Sequence, residues 1–168
     1  TVLGIFYVPG GEGDPSPAYA SMQYIMTELP FGYILRAVHH WATHFMVASV
    51  FLHMCRVYFT GAYRNPRELN WLIGVALMFL TIFFGYSGYL LPWDSLAYGA
   101  AVIGINMANS SPLIGKFAAT ALFSGTSLTP GTVTRMYFIH VFILPVIVTL
   151  LIIIHLFIVW VQGIAEPH

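Results

Sequence analysis

Three long runs of mostly apolar residues, at 31–60, 71–91 and 133–162, constrain the fold of this 168-residue chain more than any other feature. A helix needs about 20 such residues to cross a hydrocarbon core about 30 Å thick. Helices and closed barrels are the only structures that satisfy every backbone polar group within lipid. Charged residues make up 7% of the chain, whereas soluble domains carry about 25%. The sequence therefore predicts an all-α, multi-pass integral membrane protein.

The segments between these runs complete the predicted layout. Residues 1–8 are apolar but too few to span a bilayer, and they are interpreted as the end of a truncated first helix. A turn-rich loop follows at 9–17, and a short interfacial helix is predicted at 18–28. Residues 92–132 are too polar to span, so short helices at the interface are predicted there. We expect one transmembrane domain over 1–168, a four-helix bundle with an interfacial connection.

The charges and the cysteine count exclude some classes of function and indicate how the chain is oriented in the membrane. The formal net charge is zero, so no nucleic-acid partner is indicated. Arg56, Arg64 and Arg67 cluster around the polar hairpin at 62–70, and the positive-inside rule places that hairpin on the cytoplasmic or an equivalent side. Cys55 is the single cysteine, which rules out a disulfide framework, and the sequence contains no CxxCH motif for a covalent c-type haem.

The segment HHWATHFMVASVFLH, residues 39–53, places four histidines inside the first full span. Ionisable side chains within a membrane are costly and mark candidate functional sites, although a lone histidine commonly makes an interhelical hydrogen bond. At about 100° and 1.5 Å per residue, His39 and His53 are about 40° apart around the helix axis and about 21 Å apart along it. They therefore lie on nearly the same face of the helix. His40 and His44 form a second stripe, for which we predict hydrogen-bonding or cavity-lining roles.

The last span carries a second pair of histidines with a similar separation. His140 and His155 are fifteen residues apart, which gives a rise of about 22 Å and an angular offset near 60°. Pro145 lies between them, and a kink or bulge there would correct part of that offset.

The two histidine-bearing spans run parallel, because one other span separates them along the chain. His39 is therefore predicted to face His140 in one leaflet, and His53 to face His155 in the other. Two neutral imidazoles suit the two axial positions of a haem iron. With both positions filled, electron transfer is favoured over oxygen activation. The alternative is a channel or transporter in which the matched spacing is accidental.

Glycines and arginines near these histidines fit the same hypothesis. Gly74 and Gly88 are fourteen residues apart in the middle span and would admit a porphyrin edge close to the backbone. Ordinary helix packing through small residues is the other interpretation. Arg36, Arg56 and Arg135 lie near the predicted ligands along the chain and are candidates for haem propionates, or alternatively for snorkelling to the interface.

Several motifs together resemble the N-terminal, di-haem half of cytochrome b. The match covers nearly the whole chain and is most similar to the short, split form of plastids, cyanobacteria and related bacteria. The motifs are SMQYIMTELPFG, LRAVHHW, LHMCRVYFTGAYRNPRELNW, GYSGYLLPWD, TRMYFIHVFILP and HLFIVWVQGI.

The resemblance implies a subunit of a quinol-oxidising cytochrome bc-type complex that carries two b haems and is inactive alone. The positive-side haem would be bound by His39 and His140, and the negative-side haem by His53 and His155. The partners implied are a Rieske iron–sulfur protein, a c-type cytochrome, a second-half cytochrome b chain, a quinone and a second copy of the complex. Residues at haem-packing or propionate positions would be Arg36, Arg56, Arg67, Arg135, Trp71, Gly74 and Gly88.

Some positions depart from the family pattern. His40 replaces a common arginine, His44 replaces a small polar residue, and WV precedes QGI where basic residues are frequent. Asp94 is a candidate proton acceptor, but a helix-end or hydrogen-bonding role is the preferred prediction, and no catalytic residue is assigned. An additional c-type haem on the missing first helix is not decided by this sequence. A di-haem anchor of another oxidoreductase and a histidine-containing transporter stay as alternatives.

Overall fold

The structure is a computed structural model that describes residues 2–10 and 16–164. Every regular element within those residues is helical, which confirms the predicted all-α class. The predicted loop at 9–17 includes residues 11–15, which lie outside the described residues. The α-helices are α1 (Val2–Phe6), α2 (Ser16–Thr27), α3 (Gly32–Phe59), α4 (Glu68–Leu90), α5 (Ser95–Ser110), α6 (Gly115–Phe123), α7 (Pro130–Phe138) and α8 (Leu144–Gln162).

Long helices occupy the three apolar runs of the sequence. Within the described residues, Glu68–Leu90 and Pro130–Gln162 are long and apolar enough to cross a membrane. Helix α3 has 28 residues, which corresponds to about 42 Å, but its histidines and arginines lower its mean hydropathy. Helix α3 is thus the least apolar of the long helices because it contains two arginines and four histidines, two of which are the proposed ligands His39 and His53.

A π-helical turn, Ile139–Ile143, joins α7 to α8. Pro145 follows at the start of α8, where its ring nitrogen cannot donate to the carbonyl group four residues earlier. A π-helical turn takes up one more residue than an α-helical turn. The spacing from His140 to His155 is fifteen residues, and that from His39 to His53 is fourteen. The two spacings thus differ by one residue, the number that such a turn adds.

The described residues divide into two compact units. The first comprises Thr1–His39 and Tyr86–Phe142, and the second comprises His40–Gly85 and Ile143–His168, in their described parts. The first unit contains two clusters of buried side chains. One cluster consists of Leu90, Ala101, Ile105, Phe123 and Met136, and the other of Tyr7, Ala18, Ile25 and Val133.

Polar contacts fix the ends of the short helices in the first unit. Asp94 is the N-cap of α5, and its carboxylate accepts a hydrogen bond from the backbone N–H of Ala97 at 2.9 Å. This is the helix-end role predicted for Asp94. The buried hydroxyl of Thr132 donates to the carbonyl oxygen of Phe123 at 2.8 Å and accepts from the N–H of Thr129, so it links the end of α6 to the start of α7.

The second unit is largely uncovered on its outer faces. Large apolar side chains of α8 such as Ile153, Phe157 and Trp160 are exposed, which is the pattern expected of a helix whose surroundings are lipid or other chains. Near its end, the side-chain amide of Gln162 donates to the carbonyl oxygen of Pro66 at 2.9 Å. This bond ties α8 to the hairpin between α3 and α4.

Candidate haem sites

The four predicted ligand histidines form two facing pairs, one in each unit. In the first unit, the ring centroids of His39 and His140 are 6.2 Å apart and the ring planes meet at 86°. In the second unit, the centroids of His53 and His155 are 6.5 Å apart and the planes meet at 81°. The pairing is the one predicted from the sequence.

These separations fit one metal ion between two imidazoles. With metal–nitrogen distances of about 2.0 Å and a ring radius of about 1.2 Å, two opposed imidazoles have centroids about 6.4 Å apart. Within the described residues, no three side chains of the types His, Cys, Asp and Glu converge on one point. A haem iron needs only two axial ligands from the protein, so a pair of neutral imidazoles matches its requirement.

The site in the first unit lies against the last turns of α4. A Cβ atom at position 88 would lie 2.5 Å from Cε1 of His140, so Gly88 allows the imidazole to approach the helix backbone. The neighbouring Ser87 is completely buried, and its Oγ is 3.1 Å from Nδ1 of His140. His140 itself belongs to the π-helical turn, a feature that is frequent at functional sites.

The site in the second unit opens into a cavity of about 210 Å³. Polar, aromatic and glycine residues surround the histidine pair there, as a porphyrin with charged propionates requires. The predicted site residues that line the cavity are His53, Arg56, Arg67, Trp71, Gly74 and His155.

Among the described residues that line this cavity, three have a buried polar atom without a hydrogen-bond partner. The atoms are Nε of Arg67, Oδ1 of Asn70 and Nδ1 of His155. Buried polar atoms in native proteins are nearly always paired. An unpaired guanidinium nitrogen fits a ligand that carries carboxylates, because such charge-assisted hydrogen bonds are strong. The residues present therefore fit a haem with its propionates.

The remaining two predicted arginines are both in the first unit and have different neighbours. Nη1 of Arg36 contacts the sulfur of Met26 at 3.4 Å, and a thioether is a weak acceptor that leaves most of the guanidinium's capacity for an anion. Nη1 of Arg135 donates to the carbonyl oxygens of Thr120 at 2.7 Å and Ala121 at 3.0 Å. Arg135 thus stabilises the end of α6, and its contact with a propionate stays a prediction.

His40 and His44 interact with each other instead of joining either pair. Nδ1 of His44 is 2.9 Å from the carbonyl oxygen of His40, and their ring centroids are 4.6 Å apart. These contacts agree with the hydrogen-bonding role predicted for this second stripe.

Sequence reasoning did not identify Ser87 and Asn70 as part of the sites. Ser87 immediately precedes Gly88 in the sequence, and Asn70 immediately precedes Trp71. That adjacency was the available signal, but adjacent positions on a helix point about 100° apart. Their roles depend on contacts with helices distant in the sequence.

Comparison with known proteins identifies the family. The family model described as "Cytochrome b(N-terminal)/b6/petB" matches residues 44–168. The chain belongs to this cytochrome b family. Cytochrome b6 of Heliomicrobium gestii is 40% identical over 165 residues, covering 98% of this chain and 76% of that protein. Cytochrome b6 of Heliobacterium modesticaldum is 42% identical over the same shares, and that of Emiliania huxleyi is 42% identical over 89% of this chain and 70% of the relative.

A solved structure supports the same assignment for the fold. A chain of "Hyperthermophilic respiratory Complex III" aligns with a TM-score of 0.84 and 35% identity over 99% of this chain. The chain spans 44% of the length of that complex III chain. The resemblance stated from the motifs is therefore confirmed. Cytochrome b proteins of this kind bind haem b and are integral to the membrane, and both properties extend to this chain.

Proposed function

We propose that this chain is the haem-bearing core subunit of a quinol-oxidising cytochrome bc-type complex, in which it carries electrons across the membrane. It would contain two haem b groups within a single transmembrane domain over residues 1–168. His39 and His140 would bind one haem, and His53 and His155 the other. The observation that carries the proposal is the presence of two facing histidine pairs with centroid separations of 6.2 and 6.5 Å.

The chemistry of the sites supports electron transfer. When bound, haem b supplies reversible one-electron oxidation and reduction of its iron. The histidine pairs would occupy both axial positions, which excludes oxygen as a ligand. Arg56 and Arg67 line the cavity of the second site, where they would neutralise propionates. Gly74 and Gly88 would keep the α4 backbone close to the ligand rings.

Partner chains would supply the remaining chemistry. A Rieske iron–sulfur protein would accept one electron from quinol, and a c-type cytochrome would follow it. A second-half cytochrome b chain would complete the quinol-binding region, and the complex would assemble as a dimer. The curated relatives and the complex III chain support a multi-subunit complex, and the identity of each partner is part of the proposal.

The central test is a substitution that removes one axial ligand. In the complex purified from its native membrane, His155→Ala should remove about half of the b-type haem in a reduced-minus-oxidised difference spectrum, because a second axial ligand is lost from one site only. The matched control is His44→Ala, which removes an imidazole from the long helix α3, where His44 contacts His40 and Trp41 and belongs to neither histidine pair.

Three outcomes would contradict the proposal. A native protein with no b-type haem would overturn the haem assignment. Equal haem loss in the control would overturn the choice of ligands. Purification with a molybdenum or nickel enzyme, and without a Rieske protein, would replace the proposed complex by a di-haem anchor of another oxidoreductase.

A further inference from the structure

Ser87 contacts a proposed haem ligand directly and is a residue that the proposed function does not use. It lies in the last turns of α4 and is completely buried. Its Oγ is 3.1 Å from Nδ1 of His140, a residue 53 positions away along the chain. The contact is therefore a tertiary interaction within the first unit and not a by-product of local helix geometry.

The chemistry of imidazole determines the direction of this hydrogen bond. A neutral imidazole has one nitrogen with a lone pair and one with a proton. If His140 binds iron through Nε2, then Nδ1 carries the proton, and the serine oxygen must accept it. Hydrogen bonds of this kind fix the tautomer and orientation of a metal-binding histidine and raise its basicity.

We infer that Ser87 is a positioning residue that orients His140 and tunes the haem bound by His39 and His140. This inference rests on the proposed function. Two neighbouring positions of α4 would restrain the imidazole together. Ser87 holds its Nδ1, and Gly88 leaves the space for the ring, since a Cβ atom there would be 2.5 Å from Cε1.

The restraint has two measurable consequences. A more basic imidazole stabilises the ferric state, so loss of the acceptor raises the midpoint potential of this haem. Loss of the hydrogen bond also releases the rotation of the ring, whose plane is at 86° to that of His39. The low-spin ferric EPR signal of a bis-histidine haem depends on the angle between its ligand planes, so the signal of this haem should shift.

The test compares Ser87→Ala, Ser87→Thr and Ser49→Ala in the purified, haem-bearing complex. Ser87→Ala removes the hydroxyl group that would accept this hydrogen bond, whereas Ser87→Thr retains a hydroxyl group. Ser49 is the control, because its hydroxyl donates to the carbonyl oxygen of Phe45 in its own helix. Redox titration, EPR and the rate of haem loss in detergent are measured for each. Ser87→Cys serves in place of alanine if that variant does not assemble, since a thiol is a weak acceptor.

We expect Ser87→Ala to raise the midpoint potential and shift the EPR signal of one haem only, and to weaken haem binding at that site about 10-fold. Ser87→Thr should restore both signatures, and Ser49→Ala should change neither. Unchanged signals in Ser87→Ala, equal shifts of both haems, or a threonine variant that behaves like alanine would refute the inference. Each of these results leaves two b haems in the native protein, so the proposed function would stand. A native protein without haem would refute both.

Discussion

Replacing Gly88 with alanine should selectively disrupt the haem site of the first unit. The new Cβ atom would lie 2.5 Å from Cε1 of His140 and 3.1 Å from both ring nitrogens, whereas ordinary contacts begin near 3.4 Å. The ring would have to retreat by about 0.9 Å, and functional sites tolerate about 0.5 Å. Overpacking of this kind costs about 1–3 kcal/mol, which corresponds to about 5- to 150-fold weaker haem binding.

Gly85→Ala, in the same helix, provides the matched control for this prediction. A Cβ atom there would lie 3.6 Å from Cγ2 of Thr43, which is an ordinary van der Waals contact. Haem content per complex should therefore stay at the native level in Gly85→Ala and fall towards half in Gly88→Ala. Haem is measured by its pyridine haemochrome spectrum against protein concentration. Full haem content in Gly88→Ala, or equal losses in the two variants, would refute the reasoning from Cβ distances.

Two further substitutions test the short helices of the first unit. Asp94→Ala removes the N-cap of α5 and should lower the free energy of unfolding by about 0.5–2 kcal/mol, which is measured as a lower melting temperature of the complex. Asp94→Asn should preserve both the melting temperature and the rate of quinol oxidation. Loss of turnover in Asp94→Asn would instead indicate that the carboxylate is a proton acceptor. Arg135→Ala should speed amide hydrogen exchange in α6, because the last carbonyl groups of α6 lose a hydrogen-bond donor. A shift in the midpoint potential of a haem, with hydrogen exchange unchanged, would instead favour a contact between Arg135 and a propionate.

The sequence was sufficient to predict the main helices and the pairing of the histidines. Apolar runs of bilayer length predict helices with few alternatives, because lipid excludes irregular backbone. The fourteen- and fifteen-residue spacings then predict which histidines meet, and the observed pairs are His39 with His140 and His53 with His155. These predictions succeed because they depend on helix periodicity and on the order of spans.

Helix periodicity and the order of spans do not predict individual side-chain contacts between segments that are distant in the sequence. The bond from Ser87 to His140 depends on the rotation of two helices about their axes, which periodicity fixes only to within tens of degrees. The contact of Arg135 with the end of α6 depends on the path of the connection between α5 and α7. The propionate contact of Arg135 stays a prediction, and proximity along the chain did not predict the two backbone carbonyl groups that its guanidinium contacts in the structure.

The π-helical turn at Ile139–Ile143 has a consequence for comparing relatives of this chain. A π-helical turn contains one residue more than an α-helical turn, so deletion of one residue there can convert it to ordinary α geometry. The helix then stays continuous on both sides of the deletion. Relatives with a ligand spacing one residue shorter would then show a gap in the middle of a membrane helix, where insertions and deletions are normally not tolerated. Such a gap would mark a change in helical winding, with His140 still facing His39 and His155 still facing His53.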